Sequence, residues 1–309
     1  MTQVTNNILM IRPISFGLNI ETSINNHYQN KHSDVSLEES QSYALIEFDA
    51  FVEKLQMKGV NVVVIEDVND IYTPDSIFPN NWISTHSDGT IYIYPMFAKN
   101  RRLERRYDII EYLRDHFEVK NLLDNAEDYE RENNFLEGTG SMVLDRDNKI
   151  AYASISERTN NILFEKWCEL MGFFPVAFTS YHTKYNEREL IYHTNVMMCI
   201  ADKYVIICLD SIDSTIERDF VCNMLKSTNK EIIEISELQI DKFAGNMLQV
   251  MGDQKYLVMS ESAYSSLTES QLETIRKYND IIYSSLDIIQ DLGGGSARCM
   301  MAEIFLKPK

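Results

Sequence analysis

Short apolar runs separated by polar turns dominate the chain, and four of the turns align on an aspartate. They are HSDGT around Asp88, RDNK around Asp147, ADKY around Asp202 and GDQK around Asp253. Each turn lies between strand-like runs: NNWIST and IYIYPM, GSMVLD and IAYASIS, NVMMCI and YVIICLD, NMLQVM and YLVMS. Two apolar runs joined by a short polar turn predict a β-hairpin. The aspartates are 59, 55 and 51 residues apart by subtraction, so one unit recurs about every fifty residues. Between the hairpins, residues 100–117, 159–171, 214–226 and 268–279 carry helical patterns, and apolar runs at 174–180 and 231–236 follow two of them.

The unit is therefore hairpin, helix, strand, and the class is α/β. A fifth hairpin begins at ARCMMAEIF, residues 298–306, without a return strand after it. ILMIRPISF, residues 8–16, supplies a return, with a helix at 38–59 and the strand NVVVIED following. Pairing the two terminal strands predicts a five-unit closed ring, which removes free sheet edges. Residues 1–309 are expected to form a single domain, because no Pro/Gly/Ser-rich linker divides them into two.

Composition narrows the partners. Hydrophobic residues are 44% of 309, enough for a large core, and 29 Lys+Arg against 47 Asp+Glu leave a formal charge of -18. That field repels phosphate backbones and argues against nucleic acid. The five cysteines, Cys168, Cys199, Cys208, Cys222 and Cys299, show no CxxC spacing, so neither a disulfide framework nor a zinc site is expected. No signal-peptide pattern and no membrane-length apolar run stand out, so a soluble cytoplasmic protein is the expectation, as a monomer or a homo-oligomer.

Seven residues before the four aspartates stand Asn81, Gly140, Asn195 and Asn246. Around these strand entries lie PDSIFPNN (74–81), FLEGTG (135–140), YHTN (192–195), GNM (245–247) and GGGSARC (293–299). In a ring, equivalent strand entries converge at one end of the axis. A thiol at Cys299, an imidazole at His193 and a carboxylate at Glu137 then meet, which is the set that nucleophilic catalysis requires. The three glycines before Cys299 allow close approach of the backbone to a substrate.

These segments, with SERTN at 156–160, resemble the amidinotransferase and guanidine-modifying superfamily known as penteins, and within it the citrulline-utilisation hydrolase branch. The resemblance runs from IRPISFG to the end of the chain. It implies five ββαβ modules about a pseudo-fivefold axis, a five-bladed α/β propeller. It also implies Cys299 as nucleophile, His193 as general acid/base and Glu137 as active-site carboxylate. Asp75 takes the place of an aspartate that recognises the amino-acid end of the substrate. Arg158 resembles an arginine that holds the α-carboxylate, and Asn80 and Asn246 fall among the substrate-binding positions.

Deiminases of the superfamily carry carboxylates where this chain has Asn81 and Asn195. Two amides suit a neutral ureido group, which needs both donors and acceptors, better than a guanidinium that would lose charged partners. The expected substrate is accordingly citrulline, hydrolysed to ornithine, ammonia and carbon dioxide through a carbamoyl thioester, without metal or other cofactor. A neutral substrate leaves the protein to stabilise the thiolate, for which protonated His193 and an inward Arg298 are the candidates. The competing expectations are an arginine or methylarginine hydrolase, an amidinotransferase, and a non-catalytic pentein that only binds. Residues 18–36 read as a polar loop, either a lid over the site or ordinary surface.

Overall fold

The computed structural model describes residues 2–30, 34–68, 71–184 and 186–309. The class is mixed α/β, and five three-stranded sheets repeat one order: an antiparallel hairpin, then a third strand parallel to its second. They comprise Ile83–Thr85, Thr90–Ile93 and Asn121–Asp124; Val143–Asp145, Ile150–Ser154 and Phe174–Phe178; and Met198–Ile200, Tyr204–Ile207 and Glu231–Glu234. The fourth is Leu248–Met251, Lys255–Ser260 and Asp280–Ser284. The fifth joins both ends of the chain: Ala302–Ile304, Asn7–Arg12 and Asn61–Glu66, with Asn7 opposite Ile304. The sheets remain separate ladders among the described residues, so they do not form a hydrogen-bonded barrel.

A parallel third strand demands a crossover, which helices provide. They are Tyr107–His116, Asn161–Met171, Thr215–Ser227, Glu269–Arg276 and Leu37–Met57. Local sequence sets their starts. Ser36 with Glu39 and Thr268 with Gln271 form capping boxes, and Asn160 and Ser214 cap alone. The predicted helix 100–117 is split: Asn100–Glu104 is a short 3₁₀ turn and Arg105 is extended. A two-stranded hairpin, Tyr181–Lys184 with Glu187–Leu190, lies outside the repeat and was not expected.

Burial explains which strands alternate. Ile83–Thr85, Val143–Asp145 and Met198–Ile200 are buried at every position because neighbours cover both faces. Asn7–Arg12 sends Ile8 and Met10 into one apolar cluster and Leu9 and Ile11 into another. Its predicted extension to residue 16 stops at Pro13, which has no N–H to give the ladder. The strand predicted from 298 starts only at Ala302, because Cys299 N–H returns to Ser296 O (2.9 Å) and Met301 N–H to Arg298 O (3.2 Å). Comparable turns precede other first strands: Pro79–Asn81, Gly138–Ser141 and Thr194–Met197. These turns carry the candidate chemistry.

Candidate active site

The Cys299 thiol sits at its turn, 3% exposed, facing amides. Asn246 Nδ2 donates to its sulfur at 3.2 Å and Asn195 Nδ2 at 3.6 Å. Asn246 is held in turn, donating to Asn195 O (3.0 Å) and accepting from Arg298 N–H (3.0 Å).

His193 lines the same pocket as Cys299, and its Nε2 lies 2.7 Å from Glu137 Oε2. Glu137 is wholly buried and accepts Phe97 N–H at 2.9 Å. Burial alone would raise its pKa, but Arg158, with His193 and Arg101, holds it at about 2. The carboxylate therefore accepts, the ring proton resides on Nε2, and Nδ1 keeps a lone pair. Burial dominates for His193 and brings it down to about 4 despite Glu137. The imidazole is neutral at pH 7, which corrects the expectation of an imidazolium stabilising the thiolate.

A pocket of ≈ 250 Å³, counted out to its mouth, runs from Cys299 and His193 to Asn81, Asp75, Arg101 and Arg158. Asp75 is 2% exposed; its Oδ2 accepts from Asn19 Nδ2 (2.7 Å) and Thr22 Oγ1 (3.1 Å), while buried Oδ1 has no hydrogen-bond partner among the described residues. Burial raises its pKa, against the pull of Arg101. Arg158 donates from Nε to Asn25 Oδ1 (2.9 Å) and from Nη2 to Thr22 O (2.9 Å), and lies 4.7 Å over the Tyr192 ring. Its Nη1 is 3.6 Å from Glu137 Oε2.

Arg101 was not singled out from the sequence, where it falls within the helical pattern at 100–117. It is 2% exposed, donates from Nη1 to Asn81 Oδ1 (2.7 Å), and pairs with Glu104 (2.9 Å) and Asp75 (3.7 Å). The i,i+3 spacing of Arg101 and Glu104 is the one signal that could have marked it. The described part of the polar loop, residues 18–30, packs over the site. Besides its bonds to Asp75 and Arg158, Asn26 Nδ2 donates to Gly294 O (3.2 Å) and Gln29 Nε2 to Leu292 O (3.0 Å). Residues 31–33 of that loop lie outside the described residues.

Four substrate-binding expectations need correction, and two of them, Asn195 and Asn246, touch the Cys299 sulfur without lining the pocket. Arg298 turns from the thiol pocket: Nη1 donates to Met301 O (2.7 Å) and Nη2 to Glu303 (2.9 Å). Asn80 does not line the pocket; it accepts from Asn81 Nδ2 (3.0 Å) and donates to Thr139 Oγ1 (3.3 Å), so it orients Asn81. Cys168, Cys199 and Cys208 are buried, with thiol pKa values pushed up by burial, and Cys222 is half-buried. No group of three His, Cys, Asp or Glu among the described residues could hold a metal ion. No described helix is long and apolar enough to cross a membrane.

Residues 12–306 match the family model described as "N,N dimethylarginine dimethylhydrolase, eukaryotic". The chain belongs to this family, within the pentein or amidinotransferase superfamily. Among solved structures, dimethylarginine dimethylhydrolase (DDAH) from Pseudomonas aeruginosa, a mutant complexed with citrulline, is 15% identical, with 98% of this chain and 99% of that one covered at a TM-score of 0.62. Apo ArgZ, an arginine dihydrolase from the ornithine-ammonia cycle in cyanobacteria, is 16% identical at a TM-score of 0.73; 96% of this chain matches 40% of that one. The product-bound N-terminal domain of ArgZ is 17% identical, with 97% and 98% covered and a TM-score of 0.72. At these identities the likeness is one of fold. No curated protein matches the chain.

Proposed function

We propose that the protein is a cysteine-dependent hydrolase of a non-peptide C–N bond in a ureido amino acid, with citrulline the leading substrate. The observation that carries this reading is the set of amides at and near the thiol: Asn246 and Asn195 contact the sulfur from behind the pocket wall, and Asn81, which lines the pocket with Cys299, has its Oδ1 engaged by Arg101. Of the described carboxylates at the pocket, Glu137 is already paired with His193 and Arg158, and the free oxygen of Asp75 is assigned in this reading to the amino-acid end of the substrate. An unpartnered buried cation costs about 3–5 kcal/mol, or more than a hundredfold in affinity.

The far end of the pocket suits an α-amino acid. The unpartnered Oδ1 of Asp75 would accept from its ammonium, and Arg101 and Arg158 would take its carboxylate. As Cys299 Sγ attacks the ureido carbon, neutral His193 receives the thiol proton, and Glu137 supports the imidazolium so formed. His193 then passes the proton to the departing nitrogen, leaving a carbamoyl thioester. Water deprotonated by His193 releases carbamate, which decomposes to ammonia and carbon dioxide.

The family match favours a second reading, a guanidino substrate such as arginine or a methylated arginine. A panel of citrulline, arginine, agmatine and methylarginines, with ammonia and ornithine detected, separates the two. Citrulline should be consumed, and Asn81→Asp should lower its kcat/KM at least tenfold. Brisk arginine turnover with citrulline untouched would overturn the ureido choice. Loss of neither activity in Cys299→Ser would return the chain to the binding-protein reading.

The proposal extends to architecture: one domain whose five sheets stand as blades about a pseudo-fivefold axis, working in the cytoplasm. The repeated strand order supports it. So do the contacts of Ala302–Ile304 with Ile83–Thr85, and of Met198–Ile200 with both Val143–Asp145 and Leu248–Met251.

A further inference from the structure

Asn195 has a second neighbour besides the thiol. It lines another cavity, a small one of ≈ 20 Å³, whose walls include Arg146, Arg298, Glu303, Gln3 and Thr139 among apolar side chains. Arg146 and Arg298 are 3% and 7% exposed. Two guanidinium groups against one carboxylate leave a surplus of one positive charge.

The protein does not neutralise that surplus locally. Glu303 Oε2 serves both arginines, at 2.9 Å from Arg298 Nη2 and 3.6 Å from Arg146 Nη2. Gln3 has its Nε2 committed to Leu144 O (2.9 Å) and Ile200 O (3.1 Å), and its Oε1 to the backbone N–H of Arg146 (2.8 Å). The next carboxylate along the chain, Asp145, is engaged by Lys230 (3.6 Å) and Asn148 (3.0 Å). The Arg146 guanidinium lies 4.0 Å over the Phe305 ring, a weak substitute for a counter-ion. A buried cation is costly without a partner, and burial accordingly lowers the Arg146 pKa.

We propose that this cavity binds a small monovalent inorganic anion between Arg146 and Arg298. Water could fill the space but would not supply the missing charge, whereas an anion gives charge-assisted hydrogen bonds to the unused guanidinium donors. The overall charge of -18 makes diffuse anion binding to the surface unfavourable, so a saturable response points to a built site. Because Asn195 touches both the cavity and Cys299 Sγ, an anion here also steadies one of the two amides on the thiol.

The test uses the full chain, with chloride, nitrate or bicarbonate replacing gluconate at constant ionic strength. A saturable Tm rise of about 2–4 °C is expected with the small anions and not with gluconate. Equal responses to chloride and nitrate would mark a general monovalent site, and a response to bicarbonate alone a carbonate-type occupant. Arg146→Gln should abolish the rise. Crystals soaked in bromide should show an anomalous peak between Arg146 and Arg298. A rise of the same size in gluconate, one that persists in Arg146→Gln, or bromide found only at the surface would overturn the proposal. Should Arg146→Gln fail to fold, the bromide position in the unaltered protein decides.

Discussion

At Gly140 a hydrogen in place of a methyl group keeps the imidazole where it is. A Cβ there would stand 2.8 Å from both His193 Nδ1 and Cε1 and 2.5 Å from Asn81 Nδ2, closer than van der Waals contact allows. Gly140→Ala should therefore push His193 out of line with Cys299 and cut kcat by about a hundredfold, since small displacements of a catalytic group cost that much. Circular dichroism should still report a folded chain, and a variant with unchanged kcat would refute the steric account. Gly140 occupies the repeat position that holds Asn81, Asn195 and Asn246 elsewhere, so its departure from asparagine was visible in the sequence though its purpose was not. Cys299, His193 and Glu137 stood out as candidates because few residue types do that chemistry, and the structure puts Cys299 and His193 in one pocket with Glu137 bonded to His193. Arg101 was hidden among Arg102, Arg105 and Arg106, and nothing in a charge run says which member turns inward. The turn of Arg298 away from the thiol was equally unreadable, since it depends on Glu303 and Met301 O as acceptors.

The hairpins were the most legible elements, because an aspartate-centred turn between apolar runs is a local signal. Asp88 shows the cause: its Oδ1 accepts Thr90 N–H at 2.9 Å across the turn. The third strands were harder to see. Asn121–Asp124 and Asp280–Ser284 were not assigned, being short and only partly buried, with identities set by the parallel partner beside them. The glycine run before Cys299 belongs to this scale as well. Gly294 closes the helix Asp287–Gly293 with φ of 61°, in the left-handed region, and a Cβ there would meet Asn26 Nδ2 at 2.4 Å and Gln29 Cγ at 2.6 Å. Gly294→Ala should thus cost about 1–2 kcal/mol in backbone strain and loosen the covering loop as well. Hydrogen exchange over residues 19–30 should speed up and KM should rise more than kcat falls. Unaltered exchange in that segment would show that the loop is held by other contacts.

Over the whole molecule, the acid limb of stability follows from three buried histidines. His193 is held at about 4, His182 at about 3, and His86 well below its ordinary value, in each case chiefly by burial. A histidine depressed in the folded state contributes stability fully above its unfolded pKa, near 6.5, and that contribution is lost as pH falls, because the unfolded chain takes up the proton first. Two carboxyls act in the opposite sense: burial raises Glu104 to about 8 and raises Asp75, so the folded chain binds protons there more readily. The histidines make the unfolding free energy fall between pH 7 and 5, measured by chemical denaturation, and the two carboxyls offset part of that fall. His182 isolates the cause. Its ring stacks on Tyr28 at 4.9 Å between centroids, and neither ring nitrogen has a hydrogen-bond partner among the described residues. His182→Phe keeps the ring and removes the proton site, so it should reduce the drop by roughly 2 kcal/mol, the share of one fully suppressed histidine across that interval. A variant with the same pH profile as the parent would mean that the imidazole at 182 already takes up its proton in the folded protein, and the acid limb would then have to come from the carboxylate pairs instead.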